Sequence, residues 1–177
     1  MATKAKDQKD TRVTKDGRMV QTSHDLPQEK RSEMVKLLNQ QLADTFDLFT
    51  QTKQAHWNVK GMQFFQLHEL YDQLAAELLA HVDLIAERAT ALGGAATGTA
   101  RMAAGATRLD EFPAEPVGSR ESVQLLVDRY AATAEATREG IDQAEQAEDM
   151  VTADLLTQVA HDLDKSLWFL EAHLQER

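Results

Sequence analysis

Apolar side chains recur every three or four residues through four long stretches, the period of amphipathic α-helices packed on a shared core. The first stretch begins near Pro27, a residue suited to a first helical turn, and ends near residue 58. Its stripe runs Met34, Leu38, Leu42, Phe46, Phe49, Lys53, His56, so a histidine falls on the face that should meet the core. The second stretch runs from about Gln63 to Leu92 and stops at Gly93-Gly94. The third starts near Ser119, after Pro116, and runs to about Ala147. The fourth runs from about Asp149 to the C-terminus, with no glycine or proline marking the break before it. Residues 95–118 form a connector too long for two adjacent antiparallel helices. It suits a crossover from one end of a bundle to the other, and "TARMAAGATRL" within it predicts a short helix.

Composition narrows the chemistry. No cysteine is present, so disulfides, thiolate metal sites and cysteine nucleophiles are excluded. The N-terminal residues are polar, without the apolar core of a signal peptide, and no apolar run is long enough to span a membrane. A cytoplasmic protein is the expectation.

The segment "HWNVKGMQFFQLHELYD", residues 56–72, puts two histidines and an aspartate around a turn between helices. On a wheel of the second helix with His68 at zero, Asp72 falls at about 40°, Asp83 at about 60° and Glu87 at about 100°. All four share one arc beside the core stripe. They cannot meet one ion within a chain, because eleven residues of helix between Asp72 and Asp83 span about 16 Å. The positions are, however, palindromic: His68 and Glu87 sum to 155, as do Asp72 and Asp83. An antiparallel second copy, related by a two-fold axis between Glu77 and Leu78, sets Asp72 opposite Asp83 and His68 opposite Glu87. Ala75 then meets Ala80, and Ala76 meets Leu79, small residues that permit close approach. Each dimer gains two identical sites, lined by His56, His68 and Asp72 of one chain and Asp83 and Glu87 of its two-fold partner.

Two imidazoles and three carboxylates suit Fe(II) or Mn(II), and Zn(II) also fits. The plainer alternative is a solvated face on which His and Asp are incidental, and for any single pair it is the stronger one. The palindrome, together with a histidine on an apolar stripe, favours the metal site. A within-chain di-iron centre would need Glu-x-x-His on two helices, and that motif does not occur.

The stretches "KQAHWNVKGMQFFQLHELYDQL", "HVDLIAERATALGG" and "DLDKSLWFLEAHL" resemble the Dps family, the DNA-binding proteins from starved cells or mini-ferritins. The likeness covers about residues 28–175. It implies an all-α, ferritin-like four-helix bundle over residues 27–177, with the crossover carrying a short helix. It places the family's ferroxidase ligands on His56, His68, Asp72, Asp83 and Glu87. It further implies a hollow homo-dodecamer of two-fold dimers that oxidises Fe(II), with hydrogen peroxide or O2, and stores ferric mineral. Trp57, beside the site, is a candidate electron donor.

Charge adds a second expectation. Residues 1–18 carry Lys4, Lys6, Lys9, Arg12, Lys15 and Arg18 against three aspartates, a net +3, which leaves −13 on the remainder of a chain whose total is −10. Residues 1–26 read as a flexible basic arm. Non-specific DNA contact, and with it nucleoid association, is expected there; a mainly DNA-compacting protein is the alternative function. The acidic body suits a store whose pores attract cations. Asp128, Glu135, Asp142, Glu145, Glu148 and Asp149 are candidates for pore or cavity lining. Around residues 139–151 the chain departs from the family pattern by a short insertion.

Overall fold

The computed structural model describes residues 19–175. They form five helices, named here α1 (Gln28–Asn58), α2 (Phe64–Ala91), α3 (Ala100–Ala106), α4 (Ser119–Gln146) and α5 (Met150–Ala172). Helices α1 and α2 make one antiparallel hairpin, and α4 and α5 make another. The two hairpins close on a core that includes Leu38, Leu42, Leu48, Leu67, Tyr71, Leu74, Leu78, Ile85, Leu126, Tyr130 and Leu156, each nearly inaccessible to solvent. The chain is thus an all-α, ferritin-like bundle.

The connector earns its length by travelling alongside α1. Asn39 accepts hydrogen bonds from Thr97, and Gln40 Nε2 donates to the Ala106 carbonyl. The wholly buried Asp44 takes three hydrogen bonds from Arg108, through the backbone N–H at 2.8 Å, Nε at 2.9 Å and Nη2 at 2.6 Å. A buried carboxylate needs such full satisfaction. The contacts advance along α1 as they advance along the connector, so the chain returns to the α1–α2 turn before α4 begins. There Ser119 Oγ donates to the Lys60 carbonyl at 2.7 Å, docking the start of α4 on the hairpin tip.

Glycine and an unexpected glutamate end two helices alike. Gly93, at φ 88°, closes α2: its N–H bonds the Thr90 carbonyl and that of Gly94 the Ala89 carbonyl. At the unmarked break after α4, Glu148 takes the left-handed conformation at φ 63°, and the same pair of bonds returns to Glu145 and Ala144. Asp149 then caps α5 by accepting from Thr152 N–H, and it accepts from Arg88 Nη2 at 2.7 Å. Asp149 is only 4% exposed, which corrects its assignment as a pore or cavity residue: it locks α2 to the α4–α5 turn.

Residues 19–26 also differ from the arm expected up to residue 26. Met19 is buried, and the Val20 N–H bonds the Gly93 carbonyl at 2.7 Å. Residues 1–18, with all six cationic side chains proposed for DNA, lie outside the described residues.

His81 is a core residue. Its Nε2 lies 3.3 Å from Asp162 Oδ2 on α5. Burial pushes its pKa below the ordinary value of 6.5, opposed by the charges of Asp162 and then Glu77. The folded protein therefore binds this proton less readily than the unfolded chain, and His81 lowers stability progressively as pH falls below 6.5. His81→Leu should flatten that part of the profile. Chemical denaturation from pH 7 to pH 5 should show the wild type losing stability relative to the variant; parallel profiles would refute the assignment.

Candidate metal centre

The site is built on the α1–α2 turn. His56 projects from the last turn of α1 and His68 from the start of α2. Each ring is oriented by the other residue's backbone: His56 Nδ1 lies 2.8 Å from the His68 carbonyl, and His68 Nδ1 lies 3.0 Å from the His56 carbonyl. A carbonyl oxygen only accepts, so each Nδ1 carries the proton and donates. In the neutral ring this leaves the Nε2 lone pair free on both histidines, the state a metal ion requires. The His56 carbonyl is one of the last four of α1, which lack a partner in the helix, so His68 also completes the end of α1. The rings stack at 3.8 Å between centroids and 19° between planes, and Phe64 lies 5.2 Å from His68.

Asp72 lies beside His56. Its Oδ1 is 4.0 Å from His56 Nε2 and accepts from Lys53 Nζ at 2.6 Å. The Lys53 hydrogen bond, and then its charge, hold the Asp72 carboxyl below the usual carboxylate range; burial opposes this slightly, and His56 and His68 add to it. Asp72 is therefore ionised at neutral pH. Lys53 was placed with the core stripe by its spacing. Its charge, one turn before a histidine on that stripe, was the overlooked signal.

Asp83 and Glu87 stand apart, exposed on the outer face of α2. Among the described residues of one chain, no three His, Asp or Glu side chains are close enough to hold a metal ion. One chain sets His56 against the His68 ring and 4.0 Å from Asp72, short of a three-ligand group, and leaves Asp83 and Glu87 exposed further along α2. Their face also carries apolar side chains. Phe65 and Leu79 are 66% and 49% exposed on the same arc, and a groove of about 580 Å³ beside Asp83 is lined by Ala76, Leu79, Ala80, Val82, Ala86 and Gly98. Trp57 is 63% exposed at the end of α1, and Lys53 Nζ lies 5.8 Å from its ring centroid.

Residues 35–177 match the ferritin-like domain family. The DNA protection during starvation protein of Agrobacterium fabrum is 44% identical over 156 residues, spanning 88% of this chain and 96% of that protein. The chain belongs to the Dps family. A second relative, DNA protection during starvation protein 2 of Bacillus anthracis, is 33% identical over 81% of this chain and 98% of its own length. Among solved structures, Dps from Mycobacterium smegmatis superposes with a TM-score of 0.84 at 32% identity, covering 88% of this chain and 94% of that one. DpsC from Streptomyces coelicolor reaches 0.87 at 30% identity, covering 91% and 94%. The family match over residues 35–177 takes in the α1–α2 turn and the crossover. Of the remaining acidic candidates, Asp128, Glu135, Asp142 and Glu145 are exposed, and Glu148 accepts from Lys30 at 2.6 Å.

Proposed function

We propose that this Dps-family chain is an iron-storage and detoxification protein, a ferroxidase whose sites form between two-fold-related copies. The observation that carries the reading is the reciprocal histidine–carbonyl pairing, which leaves two imidazole Nε2 atoms free beside an ionised carboxylate. One chain supplies His56, His68 and Asp72; its partner supplies Asp83 and Glu87. Iron is the substrate and the cargo. The mixed nitrogen and oxygen donors suit Fe(II). Two Fe(II) ions together give two electrons to one hydrogen peroxide, which takes up two protons and leaves as two waters, so no hydroxyl radical is released. O2 is the alternative oxidant. Trp57, exposed at the edge of the site, is placed to intercept a stray oxidising equivalent. The assembly proposed is a hollow dodecamer of such dimers, with ferric mineral inside. Among the described residues no helix is long and apolar enough to cross a membrane, and a cytoplasmic, nucleoid-associated location accompanies the reading.

The division into a basic arm and a bundle supports a DNA role as well. The body, at −13, repels DNA, and the +3 of residues 1–18 is the opposing charge. Many arms on one assembly bind by high local concentration, without sequence preference and with steep salt dependence. In the alternative function this DNA compaction is the main role and the iron chemistry secondary.

Asp83→Ala and His68→Ala should each abolish fast Fe(II) oxidation, followed by absorbance after mixing with peroxide. Co-assembly of the two variants should restore part of it, because some interfaces then hold one intact site and one doubly damaged site. Mixed assemblies that stay inactive while both variants fold and assemble would show that the ligands are not shared. Deleting residues 1–18 should abolish a DNA gel shift at low salt and leave iron oxidation unchanged; an undiminished shift would place the DNA contact elsewhere.

A further inference from the structure

A groove of about 660 Å³ runs between α1 and the crossover, within the range of roughly 300–1,000 Å³ that small-molecule sites occupy. Helical periodicity builds one wall: Asp47, Gln51 and Trp57 fall on one face of α1. The crossover lays Leu109, Glu111 and Phe112 along that face. Exposed Trp57, half-buried Leu109 and buried Phe112 make the apolar part of the lining. Asp47 and Glu111 add two carboxylates, and the lining holds no lysine, arginine or histidine. Neighbouring cations are committed elsewhere. Arg108 bonds Asp44, and Arg129 donates to the carbonyls of Asp110 and Glu111. Lys53, 5.8 Å from the Trp57 ring centroid, is held by Asp72. Among the described residues neither Asp47 nor Glu111 has an ion-pair partner.

The polar atoms of the groove are acceptors in search of donors. Asp47 Oδ2 accepts from the Thr107 hydroxyl at 2.8 Å and from Gln51 Nε2 at 3.2 Å, whereas Oδ1 has only the Thr50 hydroxyl at 3.5 Å. Gln51 Nε2 also donates to the Asp110 carbonyl at 3.0 Å, which fixes the amide. Gln51 is only 5% exposed, and its Oε1 has no donor. A buried carbonyl left without a donor is uncommon and unfavourable. From this combination we infer that the groove binds a small aliphatic diamine, of the polyamine class, as its diammonium ion. One ammonium bonds Asp47 Oδ1 with Gln51 as a neighbouring acceptor, and the other bonds Glu111. The methylenes between them lie against Trp57, Leu109 and Phe112 and leave water there. A bare metal ion would use the carboxylates and gain nothing from those apolar walls; an anionic ligand would be repelled.

The test titrates 1,4-diaminobutane calorimetrically into the assembled, metal-free, full-length protein at physiological ionic strength, which screens loose attraction to the acidic surface. Wild type should bind one diamine per chain saturably, and butylamine, with a single ammonium, at least tenfold more weakly. Asp47→Asn and Glu111→Gln should each weaken diamine binding at least tenfold. Asp154→Asn removes an exposed carboxylate on α5, outside the groove, and should leave the affinity within about twofold. Circular dichroism and assembly size accompany each variant. Glu111 is exposed and makes no side-chain bond, so Glu111→Gln decides the matter if Asp47→Asn fails to fold. Deleting residues 1–18 removes six of the chain's own cations and should also leave the affinity within about twofold. A tenfold gain on that deletion overturns the inference, because a lysine of the chain itself would then hold the groove. Absence of saturable binding, no loss in the groove variants, or an equal loss in Asp154→Asn overturns it as well.

Discussion

Two side-chain bonds tie the proposed metal centre of this chain to its fold: His56 to the carbonyl of residue 68, and His68 to the carbonyl of residue 56. They serve the helices and the chemistry together. They bind the end of α1 to the start of α2, and they fix the proton on Nδ1 so that Nε2 is free. The geometry depends on the turn between them. Gly61 takes φ 117°, where a side chain is strained, and a Cβ there would approach Ser119 Oγ to 2.8 Å. The turn that presents the histidines is therefore the one on which α4 docks.

The rest of the bundle holds that hairpin in place. The crossover, clamped by Asp44 and Arg108, returns the chain to the hairpin tip, and Asp149 with Arg88 anchors the far end of α2. Helix α2 is thereby fixed at both ends, with Asp83 and Glu87 at a set distance from His68 and Asp72. A rigid helix cannot bend its own carboxylates back to its own histidines. In the proposed dimer an antiparallel copy supplies the match, and the exposed Phe65 and Leu79 on the same arc are the apolar surface it would cover.

Much of the fold was legible in the sequence because helical periodicity and glycine stops are local signals. The four long helices and the short one were anticipated, and α1 ends at Asn58, where its stripe predicted. The shared arc of His68, Asp72, Asp83 and Glu87 could be read because a wheel needs only the helix period; their role as ligands is the proposal. What stayed hidden depends on conformation or long-range pairing. The α4–α5 break is made by a glutamate in a backbone region usually left to glycine, which spacing does not reveal. Asp149 looked like one more surface acid until Arg88, 61 residues away in sequence, was found to bury it. Lys53 looked like part of an apolar stripe because its partner lies on another helix. Met19 and Val20 joined the bundle through Gly93, a contact no local pattern announces.

The central claim is that two chains build each metal site across a two-fold axis. Its most direct test is an anomalous difference map at the zinc edge from crystals of the assembled protein soaked in Zn(II). The account predicts a peak at roughly 2.0–2.2 Å from an imidazole Nε2 of one chain and from Asp83 or Glu87 of its neighbour, repeated by the two-fold. A strong peak liganded within a single chain, with His68 and the neighbour's carboxylates unoccupied, would contradict it.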